Sequence, residues 1–301
     1  MRVDQALKTK VRQGKHADGL RVLLVLAACL AGSCTSPQAV ATFADNAQKA
    51  LGQGPELFRD LQASCVRRHQ DAQPIVAVYL PPAASAPGQA DVPAVCHAFG
   101  PQGDALIQAS GVLTAYIKAI QQLAAFNTSS VSSQSESAAE NAATAAQLNT
   151  VQIDSIGKLT GFVAQAFTAH YQRRHLVEYL RQADSSVSSV TQGFQDIVGK
   201  DYESLLAEER RALGFRYQQA GDVSDRATIL LLNRAYIADL QELDRRKAAA
   251  DAYVQALGLI REGHHQLALN AGHLGSKQLS LAVASYDTKL QALLPQLQKG
   301  L

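Results

Sequence analysis

A chain of 301 residues, 47% hydrophobic and 18% charged, is long enough to bury a sizeable core, and four cysteines are too few for a disulfide-dense miniature scaffold. Its 28 Lys+Arg outnumber its 26 Asp+Glu, but six of those cations and two of those anions lie in residues 1–33. The remainder is near neutral and slightly acidic, which excludes the basic footprint of a nucleic-acid binder.

Arg2, Lys8, Lys10, Arg12, Lys15 and Arg21 stand against only Asp4 and Asp18, and an uncharged apolar run follows from Val22 to Gly32. The run falls far short of the roughly 20 residues of a bilayer-spanning helix. Basic segment, apolar centre and small-residue exit together make a secretory signal. At the exit two short boxes end in cysteine: "LAAC", Leu26 to Cys29, and "AGSC", Ala31 to Cys34. This exit resembles the signal of bacterial lipoproteins, whose box cysteine receives diacylglycerol and becomes the mature N-terminus. The resemblance covers the first tenth of the chain and implies lipidation at Cys34 or, alternatively, Cys29. "LAAC" is the better box, whereas "AGSC" leaves the more usual core length and the soft start "CTSPQA". The implied organisation is a signal over residues 1–33, or 1–28 if Cys29 is the lipidated residue, followed by one domain over 34–301. Several acyl chains anchor a protein stably where one does not, so the expected site is the bacterial envelope, facing the periplasm. Neither cysteine precedes Asp, which in enterobacterial-type sorting favours the outer membrane over the inner.

In an oxidising compartment Cys65 and Cys96 are expected to pair. Between them "PIVAVYLPPAASAPGQADVP" carries Pro74, Pro81, Pro82, Pro87 and Pro93, so residues 73–93 read as a loop clamped onto two helix ends. "PIVAVYL" inside it is the best strand candidate of the chain. From Leu106 the residues Ala109, Leu113, Tyr116, Ile120 and Leu123 follow in three- and four-residue steps, one buried helical face. A Ser/Thr-rich linker over 127–137 breaks that pattern. Ile156, Leu159, Val163, Ala166, His170, Val177 and Leu180 resume it, and Val187, Val190, Phe194 and Ile197 come next. Ser224 and Asp225 offer helix caps before Ile229, Leu232, Tyr236, Leu240, Leu243, Ala250, Val254, Leu257 and Ile260. Gly272 and Gly275 mark a turn, and Leu279, Val283, Tyr286, Leu290 and Leu294 run up to Pro295. The fold class is therefore all-α: about six helices, several near or above 35 residues, in an elongated antiparallel bundle with coiled-coil-like packing. With one Met, no Trp and much Ala, its interior is expected to pack by close helix approach instead of large side chains.

Chemistry-bearing motifs are sparse. Glu262 and His265 form one E-x-x-H, the helical spacing that di-iron bundles use twice over, but there is no second copy. They remain weak metal candidates, and no cofactor is expected. His264 and His265 should point to different sides of their helix, and His170 and His175 are also off one face. Ser155 to Lys158 matches S-x-x-K without the companion motifs of penicillin-binding enzymes, so Ser155 reads as a surface helix position. Four arginine pairs, Arg67-Arg68, Arg173-Arg174, Arg210-Arg211 and Arg245-Arg246, read as solvated helix faces with short-range acid partners. If bundle ends gathered them, Arg67, Arg68, Arg173 and Arg174 could contact an anionic surface. The expectation for function is a non-catalytic, membrane-tethered scaffold or adaptor that binds an envelope protein partner through long helices. The alternatives are a bundle that holds a metal, haem or lipid as carrier or enzyme, and a pore former built on "ATILLLNRAYIADL".

Overall fold

The apolar three- and four-residue steps become helices that pack through them. The structure, a computed structural model, describes residues 38–73, 92–125, 148–168, 173–219 and 225–300. Cys29, Cys34, "PIVAVYL", the 127–137 linker, His170 and Ser224 lie outside the described residues, as do the side chains of Ala166, Arg173 and Arg174. Among the described residues the long elements are all helical: α1 Gln38–Leu51, α2 Gly54–Asp71, α3 Phe99–Ala125, α4 Thr150–Thr168, α5 Arg173–Asp196, α6 Glu203–Gln219, α7 Arg226–Leu269 and α8 Lys277–Lys299.

These eight helices form six rods. α3 runs antiparallel past both α1 and α2, with Gly103 against the Phe58 carbonyl of α2 and Gln48 of α1 donating to Gln121 at 2.8 Å. A π-helical turn, Ile197–Tyr202, joins α5 to α6 without a break. It has a local reason. Phe194, Val198, Tyr202 and Leu206 all turn inward at steps of four, which an α-helix would drift round its axis, and a turn wider than the α-helix absorbs the drift.

The 44 residues of α7 make a rod about 66 Å long, on which the others assemble. Gly263 meets Phe43 of α1, the Tyr253 ring packs edge-on against Phe58 of α2 at 6.1 Å, and Arg246 reaches Asp60. The α1–α2 rod is thus antiparallel to α7, and Gln38 lies level with the C-terminal end of α7. α8 returns along α7 until Gly300 seats on Arg245 and Ala249, tied to α1 by Asn46 and Asp287. α4 lies antiparallel on α5, Phe162 against Tyr179 at 5.5 Å.

Four expectations need correction. The stripe from Ile156 to Leu180 belongs to two antiparallel helices; no Gly or Pro marks the passage between them in sequence, so periodicity runs through it. The last helix continues through Pro295 to Lys299: a proline this near the end forfeits one backbone bond and leaves little helix beyond to disrupt. The interior uses close approach, with Ala47, Ala50, Ala109, Ala183, Ala250 and Ala256 buried, but Phe43, Phe58, Tyr116, Phe194, Tyr202 and Tyr253 are fully buried as well. Finally, Cys65 and Cys96 are bonded, with Cα atoms 5.7 Å apart and a sequence separation of 31. Cys65, however, lies within α2 instead of at its end, and Cys96 closes a short 3-10 turn, Ala94–Cys96, ahead of α3.

Candidate functional site

The sequence-predicted residues divide. Ser155 is buried and its hydroxyl donates to the Val151 carbonyl at 2.7 Å, while Lys158 pairs with Asp154. It is therefore not a surface position, and its hydroxyl is committed to the helix backbone. Arg68 pairs with Glu208, Arg210 with Asp244, and Arg245 with Glu242. Only Arg245–Glu242 is the short-range pair of the solvated-face reading; the other two cross between helices. Arg67 and Arg246 depart further.

Arg67 and Arg246 converge with Asp60, Glu209, Ser64 and Tyr202 where α2, α6 and α7 meet. Glu209, buried, accepts from Ser64 Oγ at 2.6 Å, Arg67 Nε at 2.8 Å, and Arg246 Nη1 and Nη2 at 3.0 and 2.7 Å. Asp60 accepts from Arg67 Nη2 at 2.7 Å, from the Tyr202 hydroxyl at 2.6 Å and from Arg246 Nη1 at 3.2 Å. Burial pushes the Glu209 carboxyl up, yet the bonds from Arg246 and Ser64 outweigh it and hold the group below the usual carboxylate range. Burial likewise opposes the Arg246 charge, and Glu209 more than offsets it. A cleft of about 250 Å³ opens beside this network, lined by Glu56, Arg59, Asp60, Arg67, Glu242 and Arg246. Acids and bases balance in it, so it presents no net charge to an ion. Arg246 Nε has no hydrogen-bond partner, and Glu242 Oε1 lies 3.7 Å from it; a small carboxylate rotation closes that gap.

The adjacent histidines point to different sides of α7 as expected, His264 buried and His265 half exposed, yet they share a partner. His264 and His265 reach the same carboxylate: each Nδ1 faces one oxygen of Asp184 on α5, at 3.1 and 2.7 Å. A carboxylate accepts only, so Nδ1 is the protonated nitrogen on both rings. His264 Nε2 then faces the Tyr116 hydroxyl of α3 at 2.8 Å. Burial drives the Tyr116 phenol well above its ordinary value, so this hydroxyl donates. The result is a hydroxyl, imidazole and carboxylate in series, the order of a nucleophile relay. Tyr116 and His264 are each 1% exposed, which leaves no approach for a substrate. The chain of bonds ties α3, α5 and α7 together. The hydrogen bond from His264, strengthened by that from His265, holds Asp184 below the usual carboxylate range, and the bond to Asp184 raises His265. Glu262 does not join His265 in a ligand set: no group of three metal-ligating side chains exists among the described residues.

The stretch "ATILLLNRAYIADL" singled out in the sequence lies at the start of α7. α7 outruns the bundle: Asp71, the last residue of α2, shares a cleft with Asp239, and the residues from Arg226 to Ala238 project beyond that level. There Ile229, Leu230, Leu231 and Ile237 are exposed. No helix among the described residues is long and apolar enough to cross a membrane. No known protein family matches the chain, and neither a curated protein nor a solved structure is similar to it.

Proposed function

We propose that this protein is a non-catalytic adaptor of the bacterial envelope, tethered to a membrane, outer in a Gram-negative cell, by lipid on Cys34 or Cys29, and that it presents a partner-binding ridge at its far end. The observation that carries the reading is the separation of the two ends. α1 begins level with the C-terminal part of α7, as the meeting of Phe43 and Gly263 fixes, whereas the exposed apolar residues lie between Ile229 and Ile237. Some thirty residues of helix separate the two levels, about 50 Å. A tether at the start of the domain therefore directs the ridge away from its own membrane. Catalysis has no support from the site geometry: the hydroxyl, imidazole and carboxylate series is sealed, and the charged network has its main donors and acceptors paired among themselves.

The test is metabolic labelling with a clickable fatty acid in wild type, Cys29→Ser and Cys34→Ser, with membrane fractionation of each. Loss of label and of membrane association in one variant names the anchor. An unlabelled, freely soluble wild type sinks the tether.

A further inference from the structure

The end of the bundle from which α1 sets out gathers cations. α7 finishes there at Leu269, and the 3-10 turn Ala271–His273 crosses to the start of α8 at Lys277. A Cβ on Gly272 of that turn would stand 3.6 Å from Nη2 of Arg181 on α5, and α5 itself opens with Arg173 and Arg174. Among the described residues of this layer, those four cations stand against one acid, Glu178. The next acids inward, Asp45, Asp184, Glu262 and Asp287, are matched in number by Lys49, Lys118, Arg261 and Lys289. The excess therefore does not depend on leaving paired acids out of the count.

Their placement runs against the local preference of a helix. An N-terminus favours acids and disfavours cations, and α2 and α6 carry Glu56 and Glu203 in their first turns. α5 and α8 carry no acid there. Arg173 and Arg174 head the one, and Lys277 follows the Ser276 cap of the other, whose hydroxyl accepts from the Leu279 N–H at 3.2 Å. An anionic surface facing this end relieves that cost. Beside the cations, Leu269 and Leu281 are 63% and 64% exposed, and Leu281 lies one turn beyond Lys277 on the same line of α8. Cations next to aliphatic side chains suit the boundary between headgroups and acyl chains.

We infer that this end seats on a bilayer carrying anionic phospholipid, with Arg181 and Lys277 meeting headgroup phosphates and Leu269 and Leu281 reaching the acyl boundary. The inference rests on the tether reading for its place in the cell. Cys34 or Cys29 stands four or nine residues before Gln38, at most about 14 or 32 Å of extended chain, so lipid on either holds this end and not the opposite one close to headgroups. Seated so, the bundle cannot swing freely about its tether.

The test runs without the lipid. The full chain with Cys29→Ser and Cys34→Ser carries no anchor, and residues 1–33 contribute alike to every variant compared. The environment-sensitive dye NBD is placed on Leu281→Cys or, as a control at the opposite end, on Leu230→Cys, and emission is followed as vesicles are added. The vesicles are phosphatidylglycerol and phosphatidylcholine in equal parts, or phosphatidylcholine alone. The expected result is a blue shift at position 281 on the anionic vesicles, weakened by salt, and none at position 230. Arg181→Glu together with Lys277→Glu should raise the lipid needed for half the shift about tenfold or more. Both positions are exposed, so an unchanged melting temperature is expected and separates lost binding from lost folding. No shift at 281, an equal shift on phosphatidylcholine alone, or one that the double reversal leaves intact overturns the inference. So does capture of a Glu-rich peptide in place of the vesicles, if the same reversal abolishes it. A positive shift here with an unlabelled wild type in the fatty-acid experiment would sink the tether and leave the surface standing.

Discussion

Asp184 holds two imidazoles at once, and its loss should be felt on both sides of neutrality. Its lowered value means that its contribution to stability is present above the ordinary carboxylate range, near 4, and is lost as pH falls through the folded value. The raised value of His265 has the opposite sign: its contribution is full below the ordinary imidazole value of about 6.5 and disappears as pH rises through the folded value. Melting temperature followed against pH should therefore be highest between about pH 4 and 6.5 as far as this cluster is concerned. Asp184→Ala should remove the alkaline decline and shallow the acid one. It also strands the buried Nδ1–H of His264, a loss of about 1–3 kcal/mol in urea unfolding. Glu209→Ala leaves Arg246 buried without its main partner and should cost about 3–5 kcal/mol, while a joint Glu209→Leu, Arg246→Met replacement should recover most of that. If the single change costs no more than a surface substitution, the network is not structural.

At the scale of helices, a glycine in close approach is opposite in consequence to an open one. A Cβ on Gly103 would stand 2.6 Å from the Phe58 carbonyl oxygen, a backbone atom that cannot swing aside, whereas one on Gly111 would meet nothing. Gly103→Ala should lose about 1–3 kcal/mol through overpacking, and Gly111→Ala should gain up to about 1 kcal/mol from helix propensity. Chemical denaturation of both variants checks the sign. The helices themselves were legible because burial on one face imposes a period of 3.6 on the apolar residues, and Asp225 was legible as a cap for the same local reason. Pairings between helices were not. That Arg67 and Arg246 converge on Glu209 of another helix, or that His264 and His265 straddle one carboxylate, depends on which rods lie side by side, and single-helix periodicity carries no such information. The ridge was half legible: the hydrophobicity of "ATILLLNRAYIADL" is in the sequence, but the exposure of its apolar residues is not.

For the molecule as a whole, the Cys65–Cys96 bond fastens the start of α3 to α2 across 31 residues. In the chain-entropy account a loop of that size is worth between about 3 and 4 kcal/mol. Reduction under native conditions should lower the unfolding midpoint accordingly. The fold should persist, because α3 also packs on α1, α2 and α4 through Leu106, Leu113, Tyr116 and Ile117, all buried.

The antiparallel course of the α1–α2 rod and α7 has a mechanical consequence. A pull between the first residues of α1 and the leading turns of α7 loads the two rods in shear, so that each tends to slide along the other. Phe43 on Gly263, the Tyr253 ring on Phe58, and Asp60 on Arg246 then resist together, whereas a peeling load would break them one after another. A strut built this way stays rigid under axial tension even though no single fastening in it is strong.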